Sequence, residues 1–339
     1  MQNKRELLEK VINNEEVDRV PCGFWHHFIL GRDQFSGLEN PHILDETIMG
    51  HKKYFDLVQP DMMKLMNEGF FGYPPIMESE LRTEEELLKI HSIGKDHPWI
   101  TEQVKHVKRL VDMFKKEVLC FYNVFSPLQM LRIKFDFLDH EYNHFVDLAE
   151  KYPEALKRAG KEIQKDVEFL LQKLAEETDL DGIYFCVQNV QSPMYDQKKY
   201  EDVIGKGEQK VLNIANHLWK NNILHICGYA RHTNNFSFYK DYQAKVYNWA
   251  VHTENISIEE GKKYFGGACV LGGFDNNTGT VIDTGTKEEL EEATSQLVRE
   301  NGYQGYILGA DCSIPNDIDD HRIQWICDYA RQFRNNKEN

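Results

Sequence analysis

A histidine and a cysteine two positions apart, His225 and Cys227, are the residues of this chain whose types and spacing point most directly at chemistry. They close the apolar run 222–227, which reads as a strand ended by Gly228. Alternate residues of a strand face the same side, so His225 and Cys227 point together while Leu224 and Ile226 face away, toward covering helices. An imidazole beside a soft thiolate supplies two of the four ligands that a zinc site uses. Cys312, far downstream, follows another strand and can supply a third ligand if its loop folds inward. A plainer reading stands beside this one, because isolated cysteines mostly fill cores as small hydrophobes. That is the reading for Cys22, Cys120, Cys186, Cys269 and Cys327, which sit inside strands or a helix.

Other side chains at strand ends are candidates for lesser roles. His26 and His27 are adjacent, so at most one faces inward if the first strand continues; either is a candidate acid or base. Glu68 could serve the same purpose, or stand as a solvated loop charge. Arg32, Asn67, Gln188, Tyr195, Asn248 and Asp275 are candidates for binding substrate, and Asp275 is equally placed to cap its own loop. Gly205-Lys206-Gly207 looks like a phosphate loop only superficially. The full Walker and dinucleotide fingerprints, His-Glu-x-x-His and Cys-x-x-Cys are all missing from the sequence.

The elements that must position these residues follow from periodicity. Strands are expected at 20–25, 62–67, 118–124, 182–187, 222–227, 244–249, 268–274 and 306–310. Helices are expected at 4–13, 42–57, 153–178, 208–220, 258–265, 286–301 and 319–333. Thr286 and Glu289 have the spacing of a capping box. About eight strands alternating with helices predict an α/β fold, a (β/α)8 TIM barrel, with a doubly wound sheet as the structural alternative. No Pro/Gly-rich linker divides the chain, so 1–339 reads as one domain with an N-terminal helix inside about the first 19 residues. In such barrels the working residues lie at the C-terminal strand ends, where the candidates above fall.

The 339 residues are 41% hydrophobic and 28% charged, the composition of a globular chain with a sizeable core. A formal net charge of −15 argues against nucleic acid as a partner, because phosphate backbones need clustered Lys and Arg. It leaves room for a compact anion in a local positive pocket. No run approaches the length of a membrane span, and Met1 to Glu6 lead straight into a charged helical pattern, so no membrane association and a cytoplasmic location are expected. Seven cysteines without regular spacing fit a reducing compartment.

Several segments resemble the uroporphyrinogen-decarboxylase-like superfamily. They are the opening 3–21 with Val17-Asp18-Arg19-Val20-Pro21, the stretch Val246-Tyr247-Asn248-Trp249-Ala250-Val251, Leu271-Gly272-Gly273-Phe274-Asp275, and Ile307-Leu308-Gly309 through Ile314-Pro315. The resemblance runs over nearly the whole length and implies a (β/α)8 barrel. True uroporphyrinogen decarboxylases carry an Arg-Gln-Ala-Gly-Arg motif after strand one, an Asp after strand two and a His after strand eight. This chain has His26 to Arg32, Asn67-Glu68 and Asp311-Cys312 there, and Arg132 and Arg231 are outside candidates for missing cations. The methylcobamide:thiol methyltransferase branch carries His-x-Cys and a distant Cys that bind zinc, which here are His225, Cys227 and Cys312. Relatives of that branch often place an acidic residue near Asn248; Asn is a poor zinc ligand, so the fourth ligand is open. The resemblance therefore implies zinc as cofactor, a small-molecule thiol as acceptor, and methylcobalamin or another corrinoid as donor, with a corrinoid protein as partner. Homodimers also occur in the family. A porphyrinogen-type decarboxylase and a non-catalytic zinc- or small-molecule-binding barrel are the competing readings.

Overall fold

The computed structural model describes residues 3–189, 195–228 and 233–334. Its strands are β1 (Cys22–Gly23), β2 (Met62–Leu65), β3 (Leu119–Phe125), β4 (Gly182–Val187), β5 (Ile223–Ile226), β6 (Val246–Trp249), β7 (Cys269–Phe274) and β8 (Tyr306–Ala310). The hydrogen-bonded order is β1-β8-β7-β6-β5-β4-β3-β2, and every neighbouring pair is parallel. The seam falls between β1 and β2, where the Asp61 amide donates to the Cys22 carbonyl at 2.9 Å. Each strand sits beside its sequence neighbour with no reversal of order, which is a (β/α)8 barrel and excludes a doubly wound sheet.

The strands read as nearly continuous apolar runs because both of their faces are covered, by barrel interior on one side and helices on the other. All seven residues of β3 are buried. The expected first strand contracts to the two residues of β1, which pair only with β8. Backbones approach closely there: a Cβ on Gly309 would stand 2.5 Å from the Gly23 carbonyl oxygen. Only glycine fits at that contact.

The helix Lys4–Ile12 buries Leu7, Leu8, Val11 and Ile12, and its Arg5 reaches Asp181 at 2.5 Å, just ahead of β4. The helices His42–Val58, Pro153–Glu177, Lys287–Asn301 and Asp320–Ala330 fall where periodicity puts them, and the Thr286–Glu289 capping box forms. The helix Pro98–Phe114 does not figure among the expected elements. Pro98 opens it, the His97 ring accepts from the Trp99 amide, and Trp99, Val104, Val107, Val111 and Phe114 make its buried face. Gly205-Lys206-Gly207 runs from a wide helical turn into the helix Lys206–Leu218, so it is no phosphate loop. After β3 the chain forms the helix Gln129–Ile133, a wide turn Lys134–Asp139 and the helix His144–Lys151, none of them expected. Among the described residues no helix is long and apolar enough to cross a membrane.

Candidate metal centre and cavity

Parallel register brings the inward-facing residues of neighbouring strands side by side. Asn123 pairs with Tyr184 between β3 and β4, Cys186 with His225 between β4 and β5, and His225 with Asn248 between β5 and β6. Cys227 continues β5 for one more residue, its amide donating to the Val187 carbonyl at 2.9 Å. Cys312 arrives from β8 on a loop anchored twice. The Asp311 amide donates to the Phe274 carbonyl at 2.9 Å, and the Ile314 amide to the Trp25 carbonyl at 3.0 Å. The Asp311 carboxylate turns outward to accept from the His252 amide and ring, each at 2.9 Å, which leaves Cys312 directed inward.

The Cys227 and Cys312 sulfurs lie 3.8 Å apart, and the Cys312 sulfur is 3.4 Å from His225 Nε2. All three potential ligand atoms lie within 4.8 Å of one another. Tetrahedral zinc with Zn–S of about 2.3 Å and Zn–N of about 2.0 Å needs S···S edges near ~3.8 Å and N···S edges near ~3.5 Å. Both edges that meet at Cys312 match these spacings, and the donor set suits the ion in softness. His225 is also set in the right tautomer. Its Nδ1 donates to Asn248 Oδ1, so Nε2 presents a lone pair toward the sulfurs. Asn248 is held in turn: it accepts from the Tyr184 hydroxyl at 2.6 Å and donates to the Leu271 and Ala310 carbonyls at 2.7 and 3.1 Å. The contact between the two sulfurs sets the thiols apart. The hydrogen bond to Cys312, then burial, keeps Cys227 protonated far above the usual thiol range, and the same hydrogen bond, against burial and with His225 close by, takes Cys312 well below it.

The three residues line a cavity of about 390 Å³ at the barrel mouth. Phe71, Phe125, Ile133 and Phe137 form its apolar wall, and the last two come from the segment after β3 that the sequence left unassigned. Of the adjacent histidines, His27 enters the cavity and His26 does not. His27 Nδ1 is 3.1 Å from Glu68 Oε1, and its Nε2 is 3.4 Å from the Ser313 hydroxyl, beside Cys312. Glu68 lies behind His27, fully buried, and also accepts from the Phe28 amide at 2.9 Å. His26 instead bonds Asp320 at 3.0 Å, at the start of the helix Asp320–Ala330.

The proposed binding residues divide. Gln188 lines the cavity, with its Oε1 buried and without a hydrogen-bond partner among the described residues. Asn67 is buried and accepts from Asn123 at 2.6 Å, so it sets Asn123 on the wall. Asn248 orients His225 rather than facing the open space. Tyr195 is buried away from the cavity, donating to the Ala149 carbonyl at 2.6 Å. Asp275 takes the plainer role and caps its own loop through Asn277 at 3.0 and 2.6 Å. Arg32 is exposed on the turn Gly31–Phe35, and Arg132 is buried against Asp136 at 2.9 Å. Arg231 lies outside the described residues.

Among the cavity residues that escape the sequence reading, Cys186 and Lys64 carry the reactive side chains. Cys186 is not only core filler: its sulfur faces the cavity 3.2 Å from Asn123 Oδ1. Lys64 projects from β2 into the same space, and a lone lysine inside Met62-Met63-Lys64-Leu65 was the signal available for it.

Comparison with known proteins adds the following. The family model described as uroporphyrinogen decarboxylase (URO-D) matches residues 58–333. No curated protein sequence matches the chain significantly. Among solved structures, a methyltransferase from Methanosarcina mazei superposes over 98% of this chain and 99% of its own, with a TM-score of 0.68 and 12% identity. A B12-independent methionine synthase from a Shewanella species, in complex with selenomethionine, covers 92% of this chain and 96% of its own, with a TM-score of 0.51 and 13% identity. At these identities the likeness establishes the fold.

Proposed function

The chain belongs to the uroporphyrinogen decarboxylase (URO-D) family, and from that premise we propose that it is a zinc-dependent methyltransferase that moves a methyl group from a corrinoid donor to a thiol. One observation carries the reading. His225, Cys227 and Cys312 form a three-ligand set, no fourth His, Cys, Asp or Glu joins it among the described residues, and it opens onto the cavity. Three protein ligands and one open side are the usual catalytic arrangement. Zinc held there supplies the Lewis acidity that lets a thiol lose its proton at neutral pH.

The remaining work falls to the chain's own residues. Asn248 keeps His225 Nε2 turned toward the sulfurs. Glu68 fixes the His27 ring so that Nε2 faces the cavity and can take the thiol proton; Glu68 then balances the imidazolium. The aromatic wall keeps water from the reacting sulfur. The acceptor sulfur forms the new bond to the methyl carbon as the carbon–cobalt bond breaks, and the electron pair stays with the donor, carried by a separate corrinoid protein. Methyltransferase activity of the M. mazei neighbour agrees with this assignment. The decarboxylase reading has less support, since Arg32 stands on the surface and Arg132 is paired with Asp136. The test is methyl transfer from methylcobalamin to a small thiol by zinc-loaded protein, followed by loss of the cobalt–methyl absorbance. Turnover that disappears in the Cys227→Ser, Cys312→Ser double variant supports the reading; decarboxylation of a porphyrinogen with no methyl transfer overturns it.

A further inference from the structure

Lys64 is the one lysine or arginine among the described residues lining the cavity. Only 6% of it is exposed, and its ammonium lies 3.9 Å from the Tyr184 ring centroid and 4.7 Å from that of Trp25. The aromatic faces offset part of the cost of burying a cation. Among the described residues it makes no ion pair and no side-chain hydrogen bond. A buried ammonium without a counter-anion is expensive. Burial pulls its pKa down, while Cys186, then Cys312, Cys227 and Glu68, push it back up.

Charge counting shows what such a cation can serve. Two cysteine thiolates and a neutral imidazole around a divalent ion sum to zero, so the loaded ligand set asks for no counter-charge. The Glu68 carboxylate makes no ion pair with Lys64 among the described residues; its Oε1 is taken by His27 and the Phe28 amide. The Lys64 ammonium therefore lines the cavity without a contacting anion, beside Tyr184, whose ring packs on His225 with centroids 5.3 Å apart. A thiol that enters the open side and gives its proton to solvent through His27 adds one negative charge. The methylated product is a neutral thioether and adds none.

We propose that Lys64 is the counter-charge for the acceptor sulfur, satisfied only while the acceptor is bound as thiolate. It thereby selects thiolate over water and over the thioether product, and assists product release. The inference rests on the thiol-methyltransferase reading and adds to it a residue outside the ligand set. The charged and titratable groups that act on it are Cys186, Cys312, Cys227 and Glu68, with His225 and His27 lining the same cavity, all unchanged in the variants below.

The experiment is calorimetric binding of 2-mercaptoethanol, with a neutral tail, and 3-mercaptopropionate, with an acidic tail, to the zinc-loaded protein from pH 6 to 9. A unit charge several ångströms from the sulfur predicts binding on the order of ten- to a hundredfold weaker in Lys64→Met, alike for both thiols. The pH at which binding half-develops shifts upward. Lys64→Arg restores most of both effects, and zinc content stays at the wild-type value in each variant. Unchanged binding in Lys64→Met overturns the inference, as does weakening confined to 3-mercaptopropionate, which would make Lys64 a reader of the tail. Loss of zinc in both variants also overturns it, in favour of a structural role. If wild-type protein takes up neither thiol, the proposed function fails and this inference with it; in the other cases the function stands.

Discussion

Asn248 on β6 holds His225 on β5 in the orientation a metal needs: its Oδ1 accepts from Nδ1, and Nε2 is left 3.4 Å from the Cys312 sulfur. Such outer partners typically govern ~10- to 100-fold in metal affinity. Asn248→Ala is therefore expected to weaken zinc binding by about that factor in chelator competition. Asn248→Asp keeps an acceptor for His225 and loses less, although it strips the Leu271 and Ala310 carbonyls of their donor. Equal zinc affinity in wild type and Asn248→Ala would show that the ring needs no such orientation.

Metal analysis of purified protein should give about one zinc per chain, and the Cys227→Ser, Cys312→Ser double variant should give none. A ligand that binds only the folded state at a thousandfold excess over its Kd adds about 4 kcal/mol of stability. The wild type is expected to melt at a lower temperature after chelation, and the double variant to melt at one temperature with or without chelator. Full zinc occupancy in the double variant would place the metal elsewhere.

His27 and Glu68 act as a unit if Glu68 sets the ring that takes the thiol proton. Glu68→Gln and His27→Gln are each expected to slow methyl transfer on the order of a hundredfold, with zinc content unchanged. The double variant should be little worse than either single one, because coupled residues are not additive. Rates that multiply across the two substitutions would separate their roles.

His51 gives a pH prediction that does not involve the metal ligands. It is fully buried, its Nδ1 donates to the Thr47 carbonyl at 2.7 Å and its Nε2 accepts from the Met66 amide at 3.0 Å, so the ring is neutral. Burial lowers its pKa to about 4. The unfolded chain, with an ordinary histidine, binds the proton first as pH falls below ~6.5. Stability from His51 is thus fully present above that pH and is lost as pH drops toward 4, by about 3 kcal/mol in all. Urea unfolding from pH 7 to 5 should show this decline, and His51→Gln, which keeps a donor and an acceptor, should flatten it. An identical slope in the variant would assign the decline to other groups.

Legibility differed sharply along the chain. The seven later strands lie within a few residues of where apolar runs put them, because a strand covered on both faces has to be apolar throughout. The mouth was harder. The helix Pro98–Phe114 carries both a capped start and a periodic apolar face, yet it stands inside a long β2–β3 connection that the strand count did not need. Gln129–Ile133 and the turn after it are short and buried by the cavity they cover, so no amphipathic stripe marks them.

From the sequence came the (β/α)8 barrel and the pointing together of His225 and Cys227, because strand periodicity fixes which side chains share a face; Cys312 joined them through its place after the last strand and the family resemblance. Only the tertiary structure decided that His27 rather than His26 enters the cavity, that Glu68 and Asn248 stand behind other side chains, that Arg32 stays in solvent, and that Lys64 and Cys186 join the wall. Those facts depend on contacts across the barrel between strands remote in sequence, and local pattern carries no information about which of two polar neighbours a distant backbone will turn inward.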